Sequence, residues 1–89
     1  MAKIEIYTTA RCPYCVRAKA LLDRKGLDYM EIHIDEEPEK RDEMLSRSEG
    51  RRTVPQIFIN GQGIGGFDEL WELEQSKKFD ESLKNNEEF

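Results

Sequence analysis

Residues 3–22 read KIEIYTTARCPYCVRAKALL. Apolar residues recur at every second position before the two cysteines and at helical spacing after them. Residues 3–7 alternate polar and apolar side chains, which is typical of a β-strand. Pro13 stands where the first turn of a helix tolerates proline, and apolar residues then recur at helical spacing as far as Leu22. The stretch therefore predicts a strand over residues 3–8 and a helix over residues 13–25, which Gly26 ends.

The two cysteines lie at the predicted start of that helix. Cys12 comes just before the first turn, where unpaired backbone N–H groups and the positive end of the helix dipole stabilise a thiolate. Cys15 follows three residues later, close enough to attack a mixed disulfide formed on Cys12. The spacing predicts a redox-active dithiol in which Cys12 is the attacking thiolate and Cys15 resolves.

Length, charge and cysteine count narrow the possible functions. The chain has 89 residues, 37% of them hydrophobic, which predicts a single domain over residues 1–89. Its net charge of −5 argues against a general nucleic-acid binder, because phosphate contacts need cationic side chains. We find neither the pattern of a signal peptide nor an apolar run long enough to span a membrane. Two nearly adjacent cysteines cannot staple a fold, so we expect a reducing, cytoplasmic location without membrane attachment.

The remaining pattern predicts an α/β fold with the element order β-α-β-α-β-β-α and a short C-terminal helix. Strands are expected over residues 28–34, 54–59 and 62–64, the last two joined by a hairpin turn at Asn60-Gly61. Helices are expected over residues 38–48 and 67–75, followed by the short one near residues 80–85. In the helix over residues 67–75 the core candidates are Leu70, Trp71 and Leu73, and Trp71 could also be partly exposed on its helix.

Three motifs occur together in one order and spacing. They are Cys12-Pro13-Tyr14-Cys15, the segment TVPQIFI at residues 53–59, and the segment GGFDEL at residues 65–70. A C-x-x-C pair alone is weak evidence, since zinc sites and thioredoxins share it. With all three motifs in register over nearly the whole length, the chain resembles the glutaredoxin family, in particular its short bacterial dithiol members.

The resemblance implies a thioredoxin-like fold, with a four-stranded mixed sheet flanked by helices. It also implies a glutathione-dependent thiol-disulfide oxidoreductase that reduces protein disulfides and glutathione mixed disulfides. Glutathione is then the reducing co-substrate and no metal is expected. Partners would be disulfide-containing or glutathionylated proteins, with ribonucleotide reductase and a peroxidase among the candidates, and the protein would act as a monomer.

The same resemblance implies a glutathione site beside the dithiol. Val54-Pro55 is expected to be a cis peptide bond, with the Val54 backbone pairing with the cysteinyl part of glutathione. The expected contacts are Arg11, Tyr14, Arg41, Thr53, Val54, Pro55, Gly66, Phe67 and Asp68. Alternatives stay open at several positions: Asp68 could be only a helix cap, Tyr14 a surface aromatic and Arg41 a solvated cation.

Two departures from the family pattern matter. Many relatives carry a lysine where this chain has Thr9, so Arg11 is the candidate replacement for its charge. Some bacterial relatives have a further cysteine where this chain has Phe67, which cannot be oxidised in that way. Competing functions are an iron-sulfur carrier, which Pro13 disfavours, a thioredoxin, which the glutathione motifs disfavour, and a structural zinc site, for which the chain lacks ligands.

Overall fold

The computed structural model describes residues 3–76. Its elements follow the predicted order, and the strands form one mixed sheet in the order β2-β1-β3-β4. Strand β1 pairs in parallel with β2 and antiparallel with β3, which in turn pairs antiparallel with β4. The elements are β1 (Ile4–Thr8), α1 (Pro13–Arg24), β2 (Met30–His33), α2 (Pro38–Arg47), β3 (Gln56–Ile59), β4 (Gln62–Gly65) and α3 (Phe67–Gln75).

The alternation in β1 sends its side chains into two separate cores. Ile4 and Ile6 join a cluster with α1 and α3 on one face of the sheet, whereas Tyr7 joins a cluster with Met44 of α2 on the other. A strand alternates its side chains between the faces, so the two-residue repeat in the sequence is sufficient to build both layers. All five residues of β1 are buried, as expected for a central strand.

Helix α1 begins and ends where the sequence predicts. Cys12 is its N-cap and Pro13 occupies the first turn. At the other end Gly26 has a φ of +70°, and the Leu27 N–H donates to the Leu22 carbonyl at 3.1 Å. This backbone bond is the usual way in which a left-handed glycine terminates a helix.

Several predicted bounds need correction. Strand β2 is shorter than the predicted 28–34, and β3 starts at Gln56 rather than residue 54, because Pro55 has no N–H to give to the ladder. Trp71 was expected either in the core or partly exposed; it is 44% exposed, whereas Leu70 is fully buried. The helix predicted near residues 80–85 lies outside the described residues.

The buried carboxylate of Glu5, on the α2 side of the sheet, is paired with Arg47. The Glu5 carboxylate accepts two hydrogen bonds from the Arg47 guanidinium, at 3.0 and 3.1 Å, and Arg47 also donates to the Tyr7 hydroxyl at 2.8 Å. The guanidinium carbon lies 4.1 Å from the centre of the Phe58 ring. This arrangement satisfies the one acidic side chain that the central strand turns toward the second cluster, and the hydrogen bond from Arg47 holds the pKa of Glu5 below its ordinary value.

We predict that Glu5→Gln lowers the free energy of unfolding by about 1–2 kcal/mol at pH 7, because Arg47 loses a charged partner in a partly buried site. The folded-state pKa of Glu5 is depressed, so its stabilisation is present above the ordinary glutamate pKa and is lost as the pH falls through the folded value. Urea unfolding should therefore show the two proteins converging below about pH 4. The exposed Glu36→Gln is the control and should match the wild type throughout; a constant difference down to low pH would contradict this account.

Candidate active site

The two sulfurs occupy different depths at the start of α1. Cys12 is the N-cap, and its Sγ accepts a hydrogen bond from the Cys15 backbone N–H at 3.1 Å. Both thiols are free, with Cys12 9% exposed and Cys15 only 1% exposed. The Cys12 thiol thus stands in the place of the usual hydroxyl cap and receives the amide directly.

The inner thiol is held in its protonated form. Burial, followed by its contact with Cys12, raises the pKa of Cys15 to about 12, while a backbone hydrogen bond from Thr9 and the charge of Lys19 act in the opposite direction. At neutral pH Cys15 is therefore a neutral thiol beneath Cys12. The arrangement separates an accessible sulfur from a protected one.

Lys19 has a defined partner that the sequence did not reveal. Its Nζ donates to the Glu31 carboxylate at 2.8 Å, and the fully buried Thr8 hydroxyl donates to the same carboxylate oxygen, also at 2.8 Å. The hydrogen bond to Glu31 raises the pKa of Lys19. The contact between Lys19 and Glu31 connects α1 to β2.

The segment before β3 lies against the dithiol. The Val54-Pro55 peptide bond is cis, as the family resemblance implied. The Cys12 thiol donates to the Val54 carbonyl at 3.5 Å. Thr53 is held in place by Gln56, whose amide nitrogen donates to the Thr53 carbonyl at 2.9 Å and to its hydroxyl at 3.1 Å.

A groove of about 250 Å³ opens beside this segment. It brings together every predicted glutathione contact except Arg11 and Arg41, which are exposed and do not line it. Its lining residues are Tyr14, Thr53, Val54, Pro55, Gly66, Phe67, Asp68 and Glu69. The three sequence motifs thus converge on one surface, although they lie far apart along the chain.

Glu69 is the lining residue that the sequence analysis missed. Its Oε1 accepts the Gly66 backbone N–H at 2.7 Å, so this side chain takes an amide that a ligand could otherwise have used. A glutamate at the third position of a helix commonly bonds back to the cap residue, and this signal could have been found in the GGFDEL segment. The same oxygen lies 3.8 Å from Arg51, which brings one cation to the edge of the groove.

The two glycines before α3 differ in whether the structure could accommodate a side chain at their position. Gly65 has a φ of +119°, and a Cβ there would lie 2.5 Å from Glu69 Oε1 and 2.8 Å from Arg51 Nη1. A Cβ on Gly66 would meet the Pro55 carbonyl oxygen at 3.4 Å, which is an ordinary contact. Gly65 is thus needed by the fold itself, whereas a side chain at Gly66 would fit the protein and would narrow the groove.

Within residues 3–76 no group of three His, Cys, Asp or Glu side chains is placed to hold a metal ion. His33 Nε2 lies 3.8 Å from the Glu31 carboxylate, and within the same residues these two side chains are not joined by a third possible ligand. Over the same range, no helix is long and apolar enough to cross a membrane.

Known proteins share both the sequence and the fold. The glutaredoxin family model matches residues 4–64. The chain is 55% identical over 84 residues to glutaredoxin 3 of Escherichia coli K12, covering 94% of this chain and 100% of that protein. The solution structure of a glutaredoxin from Brucella melitensis is 51% identical with a TM-score of 0.82, covering 97% of this chain and 92% of that one. A crystal structure of a buckwheat glutaredoxin-glutathione complex is 33% identical with a TM-score of 0.82, covering 92% of this chain and 76% of that one.

The difference in depth and in protonation between the two thiols generates a prediction for the reduced protein. A small alkylating agent at pH 7 should modify Cys12 first and leave Cys15 largely unmodified, because burial and a pKa of about 12 keep the Cys15 thiolate scarce. Time-resolved mass spectrometry of the intact protein, with peptide mapping of the first adduct, measures this order. In Cys12→Ser the remaining thiol should react far more slowly than in Cys15→Ser; equal rates would contradict the assignment.

Proposed function

This chain belongs to the glutaredoxin family and is a glutathione-dependent thiol-disulfide oxidoreductase, and we propose that Cys12 is its nucleophile and Cys15 its resolving thiol. The observation that carries the proposal is the position of Cys12 Sγ. It caps α1, it is the more exposed sulfur, and it lies 3.5 Å from the carbonyl of Val54, a residue that lines the groove. A disulfide lying in the groove would meet this sulfur first.

The proposed reaction with a glutathionylated protein uses Cys12 alone. The Cys12 thiolate attacks the glutathione sulfur, the protein thiolate leaves, and a disulfide joins Cys12 to glutathione. A second glutathione thiolate then attacks that disulfide and releases oxidised glutathione, which regenerates the Cys12 thiolate. In total, one glutathione thiol and the mixed disulfide are converted to one molecule of oxidised glutathione and a free protein thiol.

The proposed reaction with a protein disulfide requires both cysteines. Cys12 attacks one sulfur and forms a mixed disulfide, and Cys15 then loses its proton and attacks Cys12 Sγ, releasing the second protein thiol. The resulting Cys12–Cys15 disulfide is reduced by two molecules of glutathione. The family's redox potentials, about −200 to −230 mV, allow glutathione at cytosolic poise to drive this direction.

We assign glutathione to the groove with its cysteinyl part against Val54. Extended peptides commonly pair with exposed backbone in this way. At the other end, the first turn of α3 has amides of Phe67 and Asp68 that helix geometry leaves without partners, which suits the γ-glutamyl carboxylate. The Asp68 carboxylate is exposed at the same place and suits the adjacent ammonium group.

Tyr14, Thr53, Pro55 and Gly66 complete the proposed site as lining residues. Arg11 and Arg41 stay in the proposal only as charges acting from outside the groove, which limits them to screened, long-range attraction of an anionic ligand. For substrates, we propose disulfide-containing and glutathionylated proteins, with ribonucleotide reductase as one candidate. We also propose that residues 1–89 form one domain that works as a monomer in the cytoplasm.

We expect a mixed disulfide of glutathione and β-mercaptoethanol to be reduced by the wild type and by Cys15→Ser, and not by Cys12→Ser. The reason is that deglutathionylation needs only the outer thiolate. Glutathione reductase and NADPH report the oxidised glutathione formed. Reduction of a protein disulfide should fail in both variants, because Cys12→Ser lacks the attacking thiol and Cys15→Ser cannot resolve the mixed disulfide. A folded, reduced wild type that is inactive on the small substrate, or an active Cys12→Ser, would overturn the proposal.

We also predict that Asp68→Asn raises the KM for glutathione about three- to tenfold, because one charge-assisted hydrogen bond at an exposed site is lost. The rate at saturating glutathione should stay near that of the wild type. Glu72→Gln makes the same change of charge on α3 at an exposed position outside the groove and serves as the control. If both variants raise the KM equally, Asp68 acts through net charge and has no direct contact with the ligand.

A further inference from the structure

Three aromatic rings form a continuous surface that leads away from the groove. Tyr14 and Phe67 have ring centres 6.3 Å apart, and Phe67 and Trp71 are stacked at 6.2 Å. Tyr14 is 52% exposed and Trp71 44% exposed, and both are among the most exposed large apolar side chains of the described residues. We call Tyr14, Phe67 and Trp71 the aromatic ridge.

The ridge joins two cavities. Phe67 lines the proposed glutathione groove, and it also lines a second cavity of about 160 Å³ between α1 and α3. That second cavity is bounded by Arg17, Ala20, Leu21, Arg24, Phe67 and Trp71. Its walls are apolar side chains and its rim carries two guanidinium groups, so it differs from the groove in both shape and charge.

The rim is positive in a protein whose net charge is negative. The Arg17 guanidinium carbon lies 5.3 Å from the centre of the Tyr14 ring. Within residues 3–76, no carboxylate forms an ion pair with Arg17 or Arg24, whereas Arg47, Arg51 and Lys19 each have one. Two cations beside apolar surface match a ligand that presents acidic and apolar side chains together.

We propose that the aromatic ridge and the cavity beside it bind the polypeptide of a protein substrate, next to its disulfide or glutathionylated cysteine, and favour segments with acidic and large apolar residues. The proposal rests on the proposed function. When Cys12 attacks the glutathione sulfur of a glutathionylated cysteine, glutathione lies in the groove, and the polypeptide attached to the departing cysteine must extend past one of the groove's walls. Phe67 is such a wall, and Trp71, Arg17 and Arg24 lie directly beyond it.

Aromatic rings and arginines are the side chains that most often dominate binding at protein surfaces. An exposed aromatic ridge also keeps its shape before the partner arrives, because Phe67 packs against the core cluster of α1 and α3 and so fixes its neighbours. Trp71 is 44% exposed, so its ring is available to a partner at this surface.

The test compares two glutathionylated peptides of about ten residues in the full-length protein. One carries two glutamates and two leucines beside the cysteine, and the other carries glutamines and alanines in their place. For Trp71→Ala we expect kcat/KM on the acidic, apolar peptide to fall about five- to tenfold, toward the value for the neutral peptide. Activity on the mixed disulfide of glutathione and β-mercaptoethanol should stay within about twofold of the wild type.

Matched variants separate the ridge from general effects. Met30→Ala removes another large exposed apolar side chain, on β2, and should leave both peptides unaffected. The double variant Arg17→Gln/Arg24→Gln should weaken only the acidic peptide and reduce its dependence on salt. A Trp71→Ala protein that matches the wild type on both peptides, or that loses activity equally on the peptides and the small disulfide, would overturn the proposal.

A binding measurement distinguishes failure of this proposal from failure of the catalytic one. Trp71 is the only tryptophan in the chain, so its fluorescence reports ligands on the ridge directly. Saturable change with the acidic, apolar peptide, and not with the neutral one, is expected even in a catalytically dead Cys12→Ser/Cys15→Ser protein. Lack of that change overturns the docking site whether or not the enzyme is active. The proposal is also overturned if the ridge instead joins two copies of the chain. In that case sedimentation shows a dimer that Trp71→Ala abolishes, and the two peptides bind alike.

Discussion

Strand β1 is buried on both faces, and each face is covered by a different helical layer. This constraint fixes much of the structure. Ile4 and Ile6 pack under α1 and α3, so the residues opposite them, Glu5 and Tyr7, must face α2. A glutamate in that position needs a cation, and Arg47 provides it with two hydrogen bonds while covering Phe58. The same strand ends beside the loop that carries Cys12, so its register also sets the position of the reactive sulfur relative to β3 and Val54.

The helix cap connects this packing to chemistry. In most helices the cap is a hydroxyl or carboxylate whose only task is to satisfy an amide. In this protein Cys12 Sγ accepts the Cys15 amide, so the group that completes the helix is also the group proposed to attack. The same sulfur lies 3.5 Å from the carbonyl oxygen of Val54. Cys15 lies buried in the helix that Cys12 starts, and this burial keeps its thiol protonated until it attacks Cys12 Sγ in the proposed reaction.

The sequence allowed most of the fold to be predicted because its signals are local. Alternation identified β1, Pro13 and Gly26 bounded α1, and Asn60-Gly61 marked the hairpin between β3 and β4. For Trp71 the sequence left open whether the ring is in the core or partly exposed, because a helix of nine residues has too few turns to distinguish the buried stripe from its edge. The ion pair between Lys19 and Glu31 joins α1 to β2, and no sequence pattern near either residue predicts this pairing. The convergence of residues 14, 53–55 and 66–68 on one groove came from family resemblance, since spacing alone does not bring such distant segments together.

Phe67 is the residue through which the two surfaces influence each other. It packs on the core cluster, lines the groove and stacks on Trp71, so the wall of the groove and the start of the aromatic ridge are one side chain. A displacement of α3 would therefore move Phe67 and Trp71 together, relative to Tyr14 on α1. The Glu69 hydrogen bond to Gly66 and the left-handed Gly65 restrain the start of α3 and thereby limit such movement. A benzyl side chain at this position is also inert to oxidation, so it can remain a fixed wall beside a redox-active dithiol through every turnover.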